Sequence, residues 1–237
     1  MASQRGLFIT FEGGEGSGKS TQVQLLKARL EAASRRVVQM REPGATPMGE
    51  ELRQLLLTST NIAPRTEMLL FEAARAELVQ KLIKPALSGG IDVICDRFID
   101  STTAYQGYGL GIEMDIITHL NTHVIDGCLP DLTVLLDIDP EVGLARASEE
   151  AAGDAIEGHW QKGLAFEDEV PDASGSGGKR QGGRDKAFHR RVRRGYLELA
   201  KAEPQRFLVL DATLPRDELS QAIWERTQAL IASASAG

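Results

Sequence analysis

One octapeptide constrains this 237-residue chain more than any other feature. Gly13-Gly14-Glu15-Gly16-Ser17-Gly18-Lys19-Ser20 fits the spacing G-x-x-x-x-G-K-[ST]. The apolar, β-type run Leu7-Phe8-Ile9-Thr10-Phe11-Glu12 precedes it. Residues 20–33 follow, with Val23, Leu26 and Leu30 at helical spacing. Strand, glycine loop and helix in that order make a cradle for a polyphosphate. Glycines let successive backbone N–H groups turn inward, and the helix N-terminus adds partial positive charge. The lysine reaches the β- and γ-phosphates as a mobile point charge, and the following hydroxyl ligates Mg²⁺. Gly13, Gly14, Glu15, Gly16, Ser17, Gly18, Lys19, Ser20 and Thr21 are therefore the candidate contacts to a nucleotide's phosphates, with Lys19 catalytic and Ser20 on the metal; which nucleotide, the loop alone does not say. The competing reading, a glycine-rich turn with a surface lysine, leaves the flanking strand and helix unexplained.

The rest of the chain repeats the strand–helix alternation. Strands are predicted over 36–40, 91–95, 132–136 and 206–210. Helices are predicted over 50–57, 66–87, 114–125, 186–202 and 218–231. The helix over 66–87 carries an apolar stripe including Leu69, Leu70, Ala73, Ala74 and Leu78, and Pro85 should bend or stop it. This order predicts an α/β fold of the P-loop NTPase type, a five-stranded parallel sheet flanked by helices. The expectation is one domain over 1–237 with a lid or insertion at about 147–186. That stretch is poor in apolar residues and rich in Gly, Ser and charge, as in Ala173-Ser174-Gly175-Ser176-Gly177-Gly178. Such a segment cannot bury enough surface to offset its ordering entropy, so a flexible insertion is expected, not a second domain.

Composition narrows the function classes. A net charge of −7 argues against a general nucleic-acid coat or an anionic-membrane binder. Two cysteines, Cys95 and Cys128, are too few for a disulfide framework, and Cys95 lies in an apolar run that predicts a buried thiol. No segment has the apolar length of a signal peptide or a membrane span, so a cytoplasmic protein is expected. Leu87-Ser88-Gly89-Gly90 has the letters of a transporter-ATPase signature but precedes a strand instead of opening a helix. The Asn-Lys-x-Asp guanine-reading motif is absent. His119 and His123 have i, i+4 spacing but lack the glutamate of a zinc helix. Arg190-Arg191-Val192-Arg193-Arg194 reads as a solvated helix face, partly used for ATP.

Five runs, taken together, resemble thymidylate kinase. They are Phe11 through Thr21, Arg41-Glu42-Pro43-Gly44-Ala45-Thr46-Pro47, Leu69-Leu70-Phe71-Glu72-Ala73-Ala74-Arg75, Asp96-Arg97-Phe98, and Ser101-Thr102-Thr103-Ala104-Tyr105-Gln106-Gly107. The resemblance covers about residues 6–146 and resumes near Ala187, through Arg193. It implies transfer of the γ-phosphate of ATP to dTMP, giving ADP and dTDP, with Mg²⁺ and in a homodimer. It also implies that Arg97 and Arg41 hold the acceptor's phosphate, a role suited to the planar two-pronged guanidinium. Phe71 would stack on thymine. Arg75, one helical turn later, would bond the base edge. Gln106 resembles a base-edge contact and Tyr105 the aromatic group beside the sugar, with Ser101 and Thr102 adding polar contacts. Glu15 would contact the acceptor's sugar or phosphate region, and Asp96 would be an outer partner of Mg²⁺ or else a helix cap. Bacterial members draw a catalytic arginine from the lid. The short Asp-Arg-x-Glu segment expected there is not visible, which leaves Arg180 and Arg184 as candidates. Ala45 replaces the second of two glycines usual in the family, which suggests that its backbone position does not require φ > 0. A kinase for uridylate or a purine nucleotide, and a non-catalytic nucleotide-binding module, are the alternatives.

Overall fold

The computed structural model of the chain describes residues 5–59, 62–153 and 185–235. Five parallel strands form one sheet in the order β2-β3-β1-β4-β5. They are β1 (Phe8–Gly13), β2 (Val37–Arg41), β3 (Asp92–Asp96), β4 (Leu132–Asp137) and β5 (Phe207–Asp211). All the predicted strands are present, shifted by a residue at most at either end. The central strand alternates its side chains between the two faces, as the strand pleat requires. Ile9 and Phe11 pack with Val23, Leu26 and Leu30 of α1 (Lys19–Ala32) and with Leu219 and Ile223 of α9 (Arg216–Ser235). Phe8 faces the other way, into a core with Leu78, Val79, Ile83, Val93 and Cys95. Cys95 is a buried free thiol, as expected, and Cys128 is one too.

Local chemistry sets the helix starts. Thr46 caps α2 (Pro47–Thr58) by accepting from the Gly49 N–H at 2.9 Å, and proline occupies the first turn. Asp185 caps α8 (Lys186–Ala202) through the Phe188 N–H at 2.8 Å. α6 spans Met114–Ile125, as predicted.

Three expectations need correction. First, Pro85 does not end its helix. α3 (Pro64–Leu78) runs through a π-helical turn, Val79–Ile83, into α4 (Lys84–Ser88). In a regular helix the Pro85 ring would press on the carbonyl four residues back; the widened turn just upstream relieves that clash. Second, the stripe on α3 holds only in part. Ala74 and Leu78 are buried as read, but Leu69 is 52 % exposed and Ala73 is exposed, while Met68 and Arg75, which the stripe left out, are buried. Third, two helical segments were unread: Ile99–Thr102 (α5), continued by a π-helical turn over Thr103–Gly109, and α7 (Pro140–Gly153). α7 extends to Gly153 and α8 begins at Lys186, so the first residues of the expected insertion are helical. The rest of it, 154–184 with Arg180 and Arg184, lies outside the described residues.

α8 packs directly on the second π turn because glycines remove the side chains in between. A Cβ at Gly195 would lie 2.7 Å from the Tyr108 ring, and one at Gly109 would lie 2.6 Å from the Phe188 ring. This close approach holds the turn that carries Tyr105 and Gln106 against the sheet end.

Candidate active site

The strand order puts the C-terminal ends of β1, β2 and β3 side by side, and in this kind of sheet ligands gather there. Phe11 and Arg41 each pair with Asp96 in register, which levels the three strand exits. From β1 the chain turns through the glycine loop into α1. Gly16 and Gly18 take φ +63° and +81°, conformations unfavourable for residues with a Cβ. A Cβ on Gly18 would meet nothing within 4 Å, so backbone conformation, not crowding, requires glycine there. Lys19 curls over the loop. Its Nζ donates to the carbonyls of Gly13 (3.1 Å) and Gly14 (2.8 Å) and to Ser17 Oγ (3.3 Å). Burial, then the Arg97 charge, pushes Lys19 down to about 8, against the carboxylates of Asp96, Glu15 and Glu12.

Ser20 Oγ donates to Asp96 Oδ2 at 3.2 Å, so the two residues expected at a metal meet across the β1–β3 junction. Asp96 is not a helix cap: α5 begins at Ile99 and has no side-chain cap. Among the described residues no group of three His, Cys, Asp or Glu could hold a metal. A hydroxyl and one carboxylate beside a phosphate cradle fit Mg²⁺, which keeps waters and takes phosphate oxygens to complete its shell.

Beside the cradle lies a cleft of about 480 Å³ of empty space. Glu15, Phe71, Arg75, Arg97, Ser101, Thr102, Tyr105 and Gln106, eight of the nine expected acceptor contacts, line it. Phe71 is partly exposed there and belongs to none of the core clusters among the described residues. Arg75 is 1 % exposed. Its Nε and Nη2 reach Glu42 Oε2 (2.8 and 2.7 Å), and its Nη1 reaches Glu72 (2.7 Å), Thr102 (2.9 Å) and Asn121 (3.2 Å). The guanidinium is thus locked before any ligand arrives. Gln106 Nε2 donates to Glu67 Oε1 at 3.0 Å, which fixes its amide.

Arg97 follows β3 at φ +70°, and this left-handed residue turns its side chain back over the cleft. The guanidinium stacks on Tyr105, 5.0 Å from the ring centre. Its Nη1 lies 3.3 Å from Ser101 Oγ and its Nη2 lies 3.7 Å from Glu15 Oε1. Glu15 also accepts from the Tyr105 hydroxyl at 2.8 Å and approaches His189 Nδ1 at 3.4 Å. Burial would raise the Glu15 carboxyl, but the His189 bond and the charges of Arg97 and Lys19 outweigh it and hold the group far below the usual carboxylate range. One loop residue therefore touches both the phosphate cradle and the cleft.

Arg41, the remaining expected contact, points elsewhere. It donates to both Glu50 oxygens at 3.0 Å, is about half exposed, and does not line the cleft. Glu50 also accepts from the Ala45 N–H at 2.9 Å. Ala45 itself sits at φ +64°, so the expectation that this position avoids positive φ was wrong. The Glu50 bond and the turn from Gly44 impose the conformation, and alanine bears a cost on the order of 1–2 kcal/mol.

Several buried polar groups went unremarked in the sequence. Glu42, carrying Arg75, is pushed up to about 7 by burial, and its Oε1 has no partner among the described residues. Arg53, on α2, is 6 % exposed and donates to the Pro43 carbonyl at 3.1 Å. Glu12, fully buried, directly precedes the loop, and the partly buried His189 reaches Glu15 of the loop from α8. A charged residue at the end of an otherwise apolar strand, as in Phe11-Glu12, was the available signal for Glu12; His189 offered none, because its contact comes from a helix far along the chain.

A parallel sheet with a triphosphate cradle beside a cationic, aromatic-lined cleft defines a nucleoside monophosphate kinase of the P-loop class. Comparison with known proteins narrows this: the profile described as thymidylate kinase matches residues 11–162, and the chain belongs to that family. It is 46 % identical over 221 residues to the thymidylate kinase of Deinococcus radiodurans, covering 93 % of this chain and 95 % of that one. It is also 46 % identical over 228 residues to that of Halothermothrix orenii, covering 94 % and 97 %. Among solved structures, the thymidylate kinase of Ehrlichia chaffeensis superimposes with a TM-score of 0.70 at 34 % identity, covering 94 % of this chain and 99 % of that one.

Proposed function

We propose that the cradle holds ATP, the cleft holds dTMP, and the γ-phosphate passes directly between them to give ADP and dTDP. The observation that carries this reading is Glu15. It stands on the cradle loop, yet it bonds Tyr105 and lies beside Arg97 in the cleft, so the two sites share a wall. In-line transfer needs that adjacency and no covalent enzyme intermediate; positioning and charge stabilisation supply the catalysis. Backbone N–H groups of 13–18 and Lys19 hold the donor's phosphates. Arg97 holds the acceptor's phosphate, with Arg41 swinging from Glu50 to join it. Phe71 stacks on the base, Gln106 and Arg75 define its edge, and Tyr105 packs beside the sugar. Ser20, backed by Asp96, would hold Mg²⁺, which neutralises charge on the phosphates when bound. Arg180 and Arg184 are the candidates for a further arginine acting on the transferring group. The described residues hold no helix long and apolar enough to cross a membrane. Together with the two free thiols, this supports placing the reaction in the cytoplasm.

Phosphorus NMR of ATP, Mg²⁺ and dTMP mixed with the protein tests the reading. The expected result is growth of the dTDP β-phosphate signal in step with ADP. ADP accompanied by inorganic phosphate and unchanged dTMP would overturn it.

A further inference from the structure

Behind Arg97 lies a group of three oxygens, two of which, on Glu12 and Tyr196, have no assigned role. Glu12 Oε2 lies 2.6 Å from Ser101 Oγ and 2.9 Å from Tyr196 Oη, and the two hydroxyl oxygens lie 2.8 Å from each other. Every pair is at hydrogen-bond distance, so a complete ring needs three protons, one per edge. The serine and tyrosine hydroxyls supply one each. An ionised Glu12 supplies none, and one edge would then set lone pairs face to face within about 3 Å in a dry site. A protonated Glu12 completes the ring. Its other oxygen, Oε1, already accepts from the Phe98 N–H at 2.8 Å, so the proton belongs on Oε2. Arg97 Nη1 approaches the ring from outside, 3.3 Å from Ser101 Oγ and 3.5 Å from Tyr196 Oη, where each hydroxyl has a lone pair left.

From this proton count we infer that Glu12 is a neutral carboxylic acid and a positioning residue: its proton closes a ring with Ser101 and Tyr196 that aims Arg97 at the acceptor's phosphate. The inference rests on the reading of the cleft as the dTMP site. The surroundings agree with it. Glu12 is fully buried, and that burial, with the nearby Asp100 carboxylate, pushes its carboxyl up to about 7 against Ser101, Arg97 and the Phe98 N–H. The charged and titratable groups facing it are Arg97 from the β3–α5 connection, Asp100 from α5, Lys19 from α1, Arg75 from α3, Cys95 from β3 and Tyr196 from α8. A neutral Glu12 leaves the Arg97 charge for an anionic ligand. Loss of the proton breaks one edge of the ring and sets a buried anion behind the guanidinium, which draws it away from the cleft. Because the folded-state value lies above the ordinary carboxylate range, the ring is intact at lower pH and is lost as pH rises through about 7.

Glu12→Gln discriminates sharply. Its amide nitrogen can donate to both Ser101 and Tyr196 while one hydroxyl donates to the other, so all three edges are filled without a titratable group and the remaining hydroxyl proton turns out of the ring. Infrared difference spectra of the free protein, wild type against Glu12→Gln, should show a protonated-carboxyl carbonyl band below pH 7 that fades above it. The KM for dTMP should match between the two proteins at low pH, and the wild-type value should rise several-fold over that of Glu12→Gln above pH 7, with the KM for ATP unchanged. The ratio removes the substrate's own titration. Tyr196→Phe, which opens the ring without a charge change, should raise the KM for dTMP and lose the pH dependence. No carbonyl band, or a wild-type to Glu12→Gln ratio that stays constant across pH 7, would overturn the proposal. Because the band is read without any acceptor, a normal band in a protein that does not use dTMP would instead fault the assignment of the cleft, and with it the role given to Arg97.

Discussion

Single charges divide the work at this site. Lys19 is drawn down to about 8 by burial and then by the Arg97 charge, and a phosphate placed against it would raise it again. Lys19→Ala should lower kcat by on the order of 10²-fold or more while thermal unfolding stays near the wild-type temperature. Near-normal turnover in the folded variant would remove the lysine from the donor site. Arg97→Ala should behave differently: the KM for dTMP should rise steeply, with equilibrium affinity for a non-hydrolysable ATP analogue retained. A large loss of analogue affinity would move Arg97 to the donor side. Ala45 offers a test of backbone strain. At φ +64° it carries a cost that glycine avoids, so Ala45→Gly should hold stability level or raise it by up to about 1 kcal/mol, although glycine also gains entropy in the unfolded chain. A clear loss in urea unfolding would show that the position is relaxed as alanine.

At the scale of elements, what could be read from the sequence was what periodicity and end signals encode. The five strands and α6 and α8 fell where apolar spacing put them. The glycine loop was legible because its composition has one good use. Failures cluster where tertiary packing decides. The stripe on α3 was read from apolar residues, yet the buried face includes Arg75, whose charge is absorbed by Glu72, one turn back on the same helix, and by Glu42, from a position that periodicity does not connect. The π turn over Thr103–Gly109 depends on glycines meeting Phe188 and Tyr108 across two elements. The roles of Ser101, Thr102, Tyr105 and Gln106 came from family resemblance; no local spacing distinguishes them from a helix face. The same holds for Arg41, which was expected in the cleft and instead bonds Glu50. The missing arginine belongs at this scale too. The double change Arg180→Ala and Arg184→Ala should leave binding of ATP and dTMP near normal and slow single-turnover transfer by on the order of 10-fold or more, the loss expected when a charge aimed at the transition state is removed. Normal single-turnover rates would shift the role to Arg146 or Arg190.

For the whole molecule, the exposed apolar residues suggest a partner. Met48 and Leu55 on α2, Leu69 on α3, and Met114 and Ile116 on α6 are 36–53 % exposed on helices that pack side by side. Isolated surface apolar residues are ordinary; several on adjoining helices form the kind of surface that a two-fold dimer buries. Light scattering at micromolar concentration should give twice the chain mass of 25.7 kDa, and Leu55→Glu with Leu69→Glu should return it to the monomer value. A wild-type monomer under those conditions would contradict the dimer. The account as a whole turns on the acceptor. A coupled assay of ADP release, run with dTMP, dUMP, UMP and AMP at equal concentration, asks the question directly. The expected result is release that depends on acceptor, is highest with dTMP, falls with dUMP, and drops close to background with UMP and AMP. Release that is equal across all four, absent with all four, or greatest with UMP or AMP would contradict the central claim.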